Sequence, residues 1–326
     1  MLNGCMLADR MQLIKQVPIT NAISVDVEDY FQTEAMSSVA PRKNWSNFPS
    51  RVEASTRALH DLFSQFDVKA TFFFLGWVAE RFPRLVRQTR DLGHEVGCHS
   101  YWHHPVFRLT AKEFWEDSYR AKATIENATG EAVAGYRAPN FSINDSVPWA
   151  YSVLEELGFE YDSSVYPVHH GLYGNPGAQR FPHRVGTRLM ELPLATWRVF
   201  NQNVPVAGGA YLRILPYALM KNGIRAINDR ETAPAVLYLH PWEVDPRQPR
   251  LPGAWKSRLR QYIGLAGMKA RLERLLEEFS PGRIYDSVYL PATLREPLGV
   301  MPRATVLEMG RAKTQIAQSV SAGEVT

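Results

Sequence analysis

The chain has 326 residues, of which 45% are hydrophobic and 21% charged, the composition of a globular protein with a sizeable core. Its net charge of +4 includes no dense run of Lys and Arg, so we do not predict nucleic-acid binding. No stretch reaches the roughly 18 apolar residues of a membrane span, and two cysteines, Cys5 and Cys98, exclude a disulfide framework.

Residues 1–20 form a leader that we expect to be loosely ordered. Asp9, Arg10 and Lys15 interrupt its apolar residues, so the leader lacks the apolar core of a secretion signal. Together with the low cysteine content, this predicts a cytoplasmic protein. Met11 is an alternative start to Met1.

Apolar segments with strand character alternate with helical patterns along residues 21–290, which we interpret as a single domain. The predicted strands are 21–27, 69–76, 94–98, 134–138, 159–165, 189–195 and 235–240. Such β/α alternation predicts a mainly parallel sheet with right-handed crossovers, which either closes as a barrel or stays open and doubly wound.

Helix signals lie between these strands. Ser50 with Glu53, and Thr110 with Glu113, have the spacing of a capping box at a helix start. Further helices are predicted near 83–92, from Pro148 to Gly158, after Pro216, and along the apolar stripe Leu272, Leu275, Leu276 and Phe279. A loop rich in Gly, Pro and His occupies 166–188, and residues 291–326 read as a polar tail.

Chemically reactive side chains gather at the carboxyl ends of the predicted strands. They are Asp26, Glu28, Asp29, His99, His103, Arg137, Asp162, Glu191 and His240. In a parallel barrel these ends meet at one mouth, where such barrels perform their chemistry, whereas an open sheet would spread them along an edge. The convergence therefore favours a barrel.

The segment "HSYWHHP" at 99–105 contains a candidate ligand pair. His99 and His103 are four residues apart, so on a helical turn both rings would point the same way. Two imidazoles and one carboxylate leave an open position for water, as in catalytic zinc sites, and the same set can hold Fe(II).

The carboxylate that completes this set is either Glu28 or Asp29. Along an extended strand Asp26 and Glu28 project to one side and Asp29 to the other, which favours Glu28, although a turn at the strand end could swing Asp29 inward. Asp26 would then be available as a base.

Arg137 and His240 suggest two further roles. A buried arginine at a strand end needs a partner, and Asp26 or Asp162 could supply it. His240 ends a buried strand, and opposite a metal site it is a candidate general acid because an imidazole titrates near neutral pH.

Five segments together resemble the motifs of the polysaccharide deacetylases, carbohydrate esterase family 4. They are "SVDVEDYF", "EVGCHSYWHHP", "GYRAPNF", "YDSSV" and "LYLH", in that order. The resemblance covers about residues 20–290 and is nearest to the branch found beside bacterial exopolysaccharide gene clusters. One feature departs from the family: Val27 separates Asp26 from the next acids, where the usual motif has two adjacent aspartates.

The resemblance implies a distorted (β/α)7 barrel that removes N-acetyl groups from N-acetylhexosamine units of a poly- or oligosaccharide. It implies a divalent metal, for which we expect Zn2+, held by His99, His103 and Glu28 or Asp29. Asp26 is then the base, Arg137 its partner and His240 the acid. A backbone N–H near Tyr30 is a candidate oxyanion donor. The expected substrate-contacting residues are Tyr30, Trp102, Pro139, Phe141, Asp162 and Trp242.

Two other functions fit the same residues. The altered first motif permits an amidase that acts on a small non-sugar amide, and a barrel that binds glycans without cleaving them would keep the same fold. The expected partner in the main interpretation is an N-acetylated glycan. The sequence does not indicate its length or the oligomeric state of the protein.

Overall fold

The computed structural model describes residues 19–170 and 174–295. The leader before residue 19, Tyr173 in the predicted 166–188 loop, and the tail beyond residue 295 therefore lie outside the described residues. Within the described part of the chain, no helix is long and apolar enough to cross a bilayer.

A curled, mainly parallel sheet forms the centre of the fold. Its strands, with those of one separate hairpin, are β1 (Ala22–Val27), β2 (Thr71–Phe74), β3 (Glu95–Cys98), β4 (Gly135–Tyr136), β5 (Tyr161–Asp162), β6 (His183–Arg184), β7 (Met190–Glu191), β8 (Thr196–Val199), β9 (Gln202–Pro205) and β10 (Val236–Leu239). The order in the sheet is β10-β1-β2-β3-β4-β5-β7-β6, and only β6 runs antiparallel to its neighbour. Strands β8 and β9 form the hairpin.

The sheet closes into a distorted (β/α) barrel, as expected. Strand β1 pairs with β2 on one side and with β10 on the other, so the first and last strands are neighbours. On the far side of β10, the Ala195 N–H donates to the Val236 carbonyl at 3.1 Å, and the Tyr238 N–H donates to the Ala207 carbonyl at 2.8 Å. These bonds tie the chain after β7 to β10, so irregular backbone completes the ring.

Helices surround this ring and pack their apolar faces on it. They are Val52–Gln65, Gly76–Arg81, Pro83–Asp91, Ala111–Thr129, Trp149–Glu156, Gly209–Ile214, Tyr217–Glu231, Trp255–Tyr262, Leu265–Phe279 and Leu290–Arg295, with a π-helical turn at Tyr285–Tyr289. Short 3-10 turns occur at Glu34–Met36, Arg42–Asn47, Val106–Arg108, Pro139–Phe141 and Pro241–Val244. All four residues of β2 are buried, as expected for a strand covered on both faces.

All seven predicted strands are confirmed, as β1 to β5, β7 and β10. Strand β6 and the β8–β9 hairpin were not predicted: β6 lies in the segment 166–188 that was predicted as a loop, and the hairpin lies between two predicted strands. The capping box is confirmed at Thr110 and Glu113. It is wrong at Ser50: Arg51 is the N-cap of Val52–Gln65, and the Ser50 hydroxyl donates to Asp29 instead.

Candidate active site

A cleft opens at the carboxyl ends of the central strands, with a cavity volume of about 130 Å³. Five of the predicted catalytic or metal-binding residues line it: Asp26, Glu28, His99, His103 and His240. Residues that were not predicted complete its wall, among them Thr33, Glu34, Asn140, Arg260 and Gln261. The mouth predicted from the strand ends is therefore present in the fold.

Asp26 is fixed by Arg137 beneath the cleft. Arg137 Nη1 lies 2.8 Å from Asp26 Oδ1, and both side chains are buried. The remaining donors of Arg137 reach Ser24 Oγ at 2.6 Å, the Ser163 carbonyl at 3.0 Å and Ser163 Oγ at 2.9 Å. The guanidinium also lies 4.4 Å from the ring centre of Phe73. A buried arginine with this many partners orients one carboxylate and keeps it beside a full positive charge.

His99 and His103 face each other, although the segment between them is not a helical turn. Their ring centres are 5.3 Å apart, and the chain turns through positive φ at Ser100 (61°) and His103 (57°). The His103 N–H donates to Ser100 Oγ at 3.0 Å. The helical interpretation of this pair was wrong, because a tight irregular turn with two left-handed residues brings the rings together.

Two residues that the sequence did not reveal hold this turn in place. Asp117 accepts the backbone N–H groups of Tyr101 at 2.7 Å and Trp102 at 3.0 Å. Arg42 donates to the carbonyls of Trp102 and His103. Neither residue lies in a recognisable motif, so contact across the fold was the only signal that could identify them.

The environment of His99 and His103 favours the neutral form of both imidazoles. His99 Nδ1 lies 2.7 Å from the Arg137 carbonyl, to which it donates, so Nε2 is left as the coordinating nitrogen. Burial lowers the pKa of His99 to about 4. Burial, reinforced by the neighbouring His99, lowers the pKa of His103 well below its ordinary value. A neutral imidazole is the form that binds metal.

Glu28 lies between two histidines. Its Oε2 is 3.0 Å from His103 Nε2, and its Oε1 is 3.1 Å from His240 Nε2. Oε2 is buried and has no hydrogen-bond partner of good geometry among the described residues. Burial raises the pKa of Glu28 to about 7, against the lowering effect of His240. One oxygen of this buried carboxylate thus has no well-oriented hydrogen-bond donor among the described residues.

Asp29 projects to the other side of the chain and caps a helix. Its Oδ2 accepts the Ser50 hydroxyl at 2.6 Å and the N–H groups of Arg51 and Val52 at 2.9 and 3.2 Å. Its Oδ1 accepts the Tyr30 N–H at 3.0 Å. Both oxygens are therefore engaged at the start of Val52–Gln65, and the Tyr30 N–H that was expected to stabilise an oxyanion is not available for that role.

His240 is held by a buried ion pair from the second half of the chain. Glu243 Oε2 lies 3.2 Å from His240 Nδ1 and accepts the His240 N–H at 2.9 Å. Glu243 Oε1 is 2.8 Å from Arg213 Nε, and both of these side chains are buried. Burial opposes the charged imidazole, but the carboxylates of Glu28 and Glu243 raise the pKa of His240 to about 9.

Gly209 allows this arrangement. A Cβ atom at position 209 would lie 2.0 Å from Glu243 Oε2, so any larger residue would displace the carboxylate. Gly208 and Gly209 stand out in the sequence, whereas the Glu243–Arg213 pair does not. The signal that could have indicated Glu243 is its position three residues after His240, at the start of the Pro241–Val244 turn.

The predicted substrate-contacting residues divide into two groups. Phe141 and Trp242 line the cleft, and the ring of Trp242 stacks on His240 with centres 5.2 Å apart. The other four do not line it. Tyr30, Pro139 and Asp162 are buried outside its lining, and Trp102 packs beside Trp45.

Asp162 and Glu191 form a separate buried pair. Asp162 accepts the Ser164 hydroxyl, and Glu191 Oε1 accepts the Val165 N–H at 2.9 Å. Burial raises the pKa of Asp162 to about 6 and that of Glu191 well above its ordinary value, so the two carboxyl groups are stable when they share a proton. Asp26, and not Asp162, is therefore the ion-pair partner of Arg137.

The donors at the cleft fit a divalent metal by their chemistry, although their side chains are not arranged as a closed ligand set. Among the described residues, no group of three or more His, Cys, Asp or Glu side chains has metal-holding geometry. The donor set nevertheless consists of two neutral imidazoles and one carboxylate oxygen without a good hydrogen bond. These are the ligand types of an open zinc site.

Two family models match the chain in succession. Residues 41–161 match a model described as polysaccharide deacetylase, and residues 163–288 match one described as a domain of unknown function (DUF3473). The first match contains His99, His103 and Arg137. Strand β1, with Asp26 and Glu28, precedes it, and His240 lies in the second match.

Several curated relatives carry the name of a peptidoglycan deacetylase. A peptidoglycan deacetylase of Helicobacter pylori is 32% identical over 113 residues, which is 35% of this chain and 38% of the relative. A peptidoglycan-N-acetylglucosamine deacetylase of Bacillus cereus is 29% identical over 173 residues, 52% of this chain and 78% of the relative. The chain thus spans little more than a third of the length of the first of these relatives.

A solved structure supports the fold across most of the chain. A protein from Mycobacterium smegmatis that is assigned as a polysaccharide deacetylase superposes with a TM-score of 0.57 at 18% identity. The superposition covers 87% of this chain and 95% of that one. At this identity the likeness concerns the fold alone.

Proposed function

We propose that this chain, which carries the polysaccharide deacetylase region over residues 41–161, is a hydrolase that removes N-acetyl groups from N-acetylhexosamine units of a glycan. The observation that supports this most directly is the cleft itself. It combines a buried carboxylate fixed by Arg137, two neutral imidazoles beside Glu28, and an imidazole held from behind by Glu243. The match over residues 41–161 and the named relatives support the same reaction.

His99, His103 and Glu28 are the residues that would hold a divalent ion, and we propose Zn2+. Glu28 is preferred to Asp29 because the oxygens of Asp29 already accept four hydrogen-bond donors at the helix start. When bound, such an ion polarises the acetamide carbonyl and lowers the pKa of a water molecule. His99 is oriented for this task by its bond to the Arg137 carbonyl.

The protein's own side chains supply the proton transfers. Asp26 takes a proton from the attacking water, and Arg137 holds its carboxylate in one orientation. His240 donates a proton to the departing amine, because Nε2 faces the cleft while Nδ1 is fixed by Glu243. Phe141 and Trp242 supply apolar wall for the sugar ring or the acetyl methyl group. The products are acetate and a free amino sugar.

The names of the relatives and the sequence motifs suggest different glycans as the substrate. The names of the relatives favour peptidoglycan, whereas the resemblance of the sequence motifs suggested a role in exopolysaccharide biosynthesis. The interrupted leader and the low cysteine content suggested the cytoplasm. Acetate release from peptidoglycan, from N-acetylglucosamine oligomers and from a small non-sugar amide distinguishes the substrates. Release from the small amide alone would identify an amidase instead.

The experiment is to measure bound Zn2+ and acetate release together in purified variants. We expect Asp26→Asn to keep the metal and to lower kcat at least about 100-fold, the usual contribution of a general base. His103→Ala and Glu28→Ala should lose both metal and activity. Asp29→Ala is the matched control: it should keep the metal but lower the free energy of unfolding by about 2 kcal/mol, because it removes a helix cap.

Three results would contradict the proposal. One is acetate release that survives both a chelator and Asp26→Asn. Another is loss of metal in Asp29→Ala with normal metal in Glu28→Ala, which would reverse the ligand assignment. The third is undiminished glycan binding by His103→Ala with no acetate release by any variant or by the wild type, which would identify a non-catalytic glycan-binding barrel.

A further inference from the structure

One segment of the second half is strongly basic. Between Asp245 and Glu273 the sequence contains no acidic residue. The cationic residues in this interval, which we call the basic segment (246–272), are Arg247, Arg250, Lys256, Arg258, Arg260, Lys269 and Arg271. The whole chain has nearly balanced charge, with 37 Lys and Arg against 33 Asp and Glu, so this concentration is local.

The middle of the basic segment is a helix, Trp255–Tyr262, that exposes large apolar side chains. Trp255 is 70% exposed and Leu259 is 53% exposed. Ile263, directly after the helix, is 38% exposed, and the nearby Ile214 is 49% exposed. Arg213 donates to the Ile263 carbonyl at 2.5 Å, which places Ile214 beside this end of the helix. Single exposed apolar residues are normal, but a group of four large ones marks an interaction surface.

The cations of the helix border its apolar face on both sides. Trp255 and Leu259 are four residues apart and share one face. Lys256 and Arg260 follow one edge of that face and Arg258 the other, by the helical repeat of 3.6 residues. Within the described part of the chain, these three cations form no ion pair, and all three are exposed. An apolar stripe edged by unpaired cations is typical of helices that lie in a membrane interface.

The opposite side of the same helix reaches the cleft. Gln261 is its only fully buried residue; its Nε2 donates to the Tyr30 carbonyl at 3.1 Å, and its Oε1 accepts the Thr33 hydroxyl at 3.0 Å. Gln261 and Arg260 both line the cleft. The helix that carries the exposed apolar face is therefore also part of the wall of the candidate active site.

We propose that the face formed by Trp255, Leu259, Ile263 and Ile214, with its flanking cations, docks the protein on an anionic lipid bilayer. Lys and Arg are attracted to the negative surface, Trp is favoured at the level of the headgroups, and leucine and isoleucine enter the acyl boundary. An acidic polysaccharide would match the cations, but it gives no reason for the exposed aliphatic side chains. The observations therefore favour the bilayer.

Docking through this helix holds the cleft one helix diameter, roughly 10 Å, from the membrane surface. This step rests on the proposed deacetylation: the placement suits a glycan presented from a lipid anchor. The docking itself does not depend on catalysis, because none of the apolar residues of this face is assigned to the reaction.

The test is sedimentation of the full-length protein with vesicles of phosphatidylcholine containing one third phosphatidylglycerol. We expect partitioning that weakens with salt and is at least about tenfold lower for Lys256→Glu with Arg258→Glu, and for Trp255→Ser with Leu259→Ser. The matched control is Tyr119→Ser with Lys112→Glu, which changes exposed residues on the unrelated helix Ala111–Thr129 and should bind as wild type.

Equal partitioning onto pure phosphatidylcholine, or equal loss in the control variant, would overturn the proposal. Retention on dextran sulfate without binding to vesicles would overturn it in favour of an acidic polymer. Asp26→Asn separates the two proposals, because it should bind vesicles normally even though it does not deacetylate. Conversely, if the wild-type protein fails to bind vesicles, it should still release acetate from soluble oligomers.

Discussion

Glu28 and Asp29, which directly follow β1, have different partners because an extended chain alternates its side chains. Asp26 and Glu28 project into the cleft, whereas Asp29 projects outward to the start of Val52–Gln65. The sequence allowed this outcome, and its alternation favoured Glu28 as a ligand. Only the structure shows that Asp29, the alternative ligand, is already engaged by the Ser50 hydroxyl and the N–H groups of Arg51 and Val52.

At the same scale, Glu243 is expected to act on the reaction through His240. Glu243→Gln removes the charge that pairs with Arg213 and weakens the hold on His240 Nδ1. We expect kcat to fall about 10- to 100-fold, the usual effect of a residue that orients a catalytic or ligating imidazole, with little change in KM or in bound metal.

The control for this prediction is Glu95→Gln, a carboxylate engaged by Thr71 and Tyr161 well away from the cleft lining. It should lower stability without a selective effect on kcat. If Glu243→Gln lost stability and left kcat unchanged, the residue would be structural only.

At the scale of elements, buried histidines link the first helix to the sheet. His60 on Val52–Gln65 and His94 before β3 stack with ring centres 5.4 Å apart. His94 Nδ1 accepts the Ala70 N–H at 3.1 Å, and His60 Nε2 lies 3.0 Å from Thr89 Oγ1. The His94 bond requires an unprotonated nitrogen, so this packing is built for neutral rings.

Stability should therefore fall as the solution is acidified. Burial lowers the pKa of His60 to about 4, and burial with the neighbouring charges lowers the pKa of His94 to about 3. Below an ordinary histidine pKa of about 6.5 the unfolded chain binds protons that the folded chain does not, so the free energy of unfolding decreases as the pH falls. The contribution is complete above that value and is lost progressively down to about 4 for His60 and about 3 for His94.

We expect His94→Gln to show a smaller loss of unfolding free energy between about pH 7.5 and about pH 5, by about 2 kcal/mol relative to wild type. Urea unfolding at the two pH values measures this difference. The control is Thr89→Val, which changes the same contact region without removing a titrating group. An equal pH dependence in wild type and His94→Gln would contradict the prediction.

At the scale of the whole molecule, the site depends on closure of the ring. Ser24 of β1 faces Tyr238 of β10, and the Ser24 hydroxyl donates to the Leu237 carbonyl at 2.8 Å, across more than 200 residues of chain. The first half supplies Asp26, His99, His103 and Arg137, and the second half supplies His240 with its Glu243–Arg213 support. The region of unknown function thus contributes to the cleft directly.

A fragment that ends at residue 165 should consequently fail to fold. It would expose one edge of β1 and the apolar residues that β10 covers, including the fully buried Ile23 and Val25. We expect no cooperative thermal transition by circular dichroism, in contrast to the intact chain. A fragment with a sharp transition and native-like tertiary signal would show that the first half is an independent domain.

Local patterns in the sequence were enough to predict the strand positions, the parallel barrel, and Asp26, Glu28 and the three histidines that line its mouth. They were enough because buried strands leave apolar runs, and reactive side chains stand out where those runs end. They could not determine the turn that joins His99 to His103, the engagement of Asp29, or the pairing of Asp162 with Glu191.

Those features depend on contacts between distant parts of the chain. Asp117, Arg42 and the Glu243–Arg213 pair meet their partners only when the ring closes, and nothing in their local sequence distinguishes them from ordinary surface charges. A hydrogen bond or an ion pair between side chains far apart in sequence leaves no periodicity, so the tertiary structure alone decided which charged residues became part of the site.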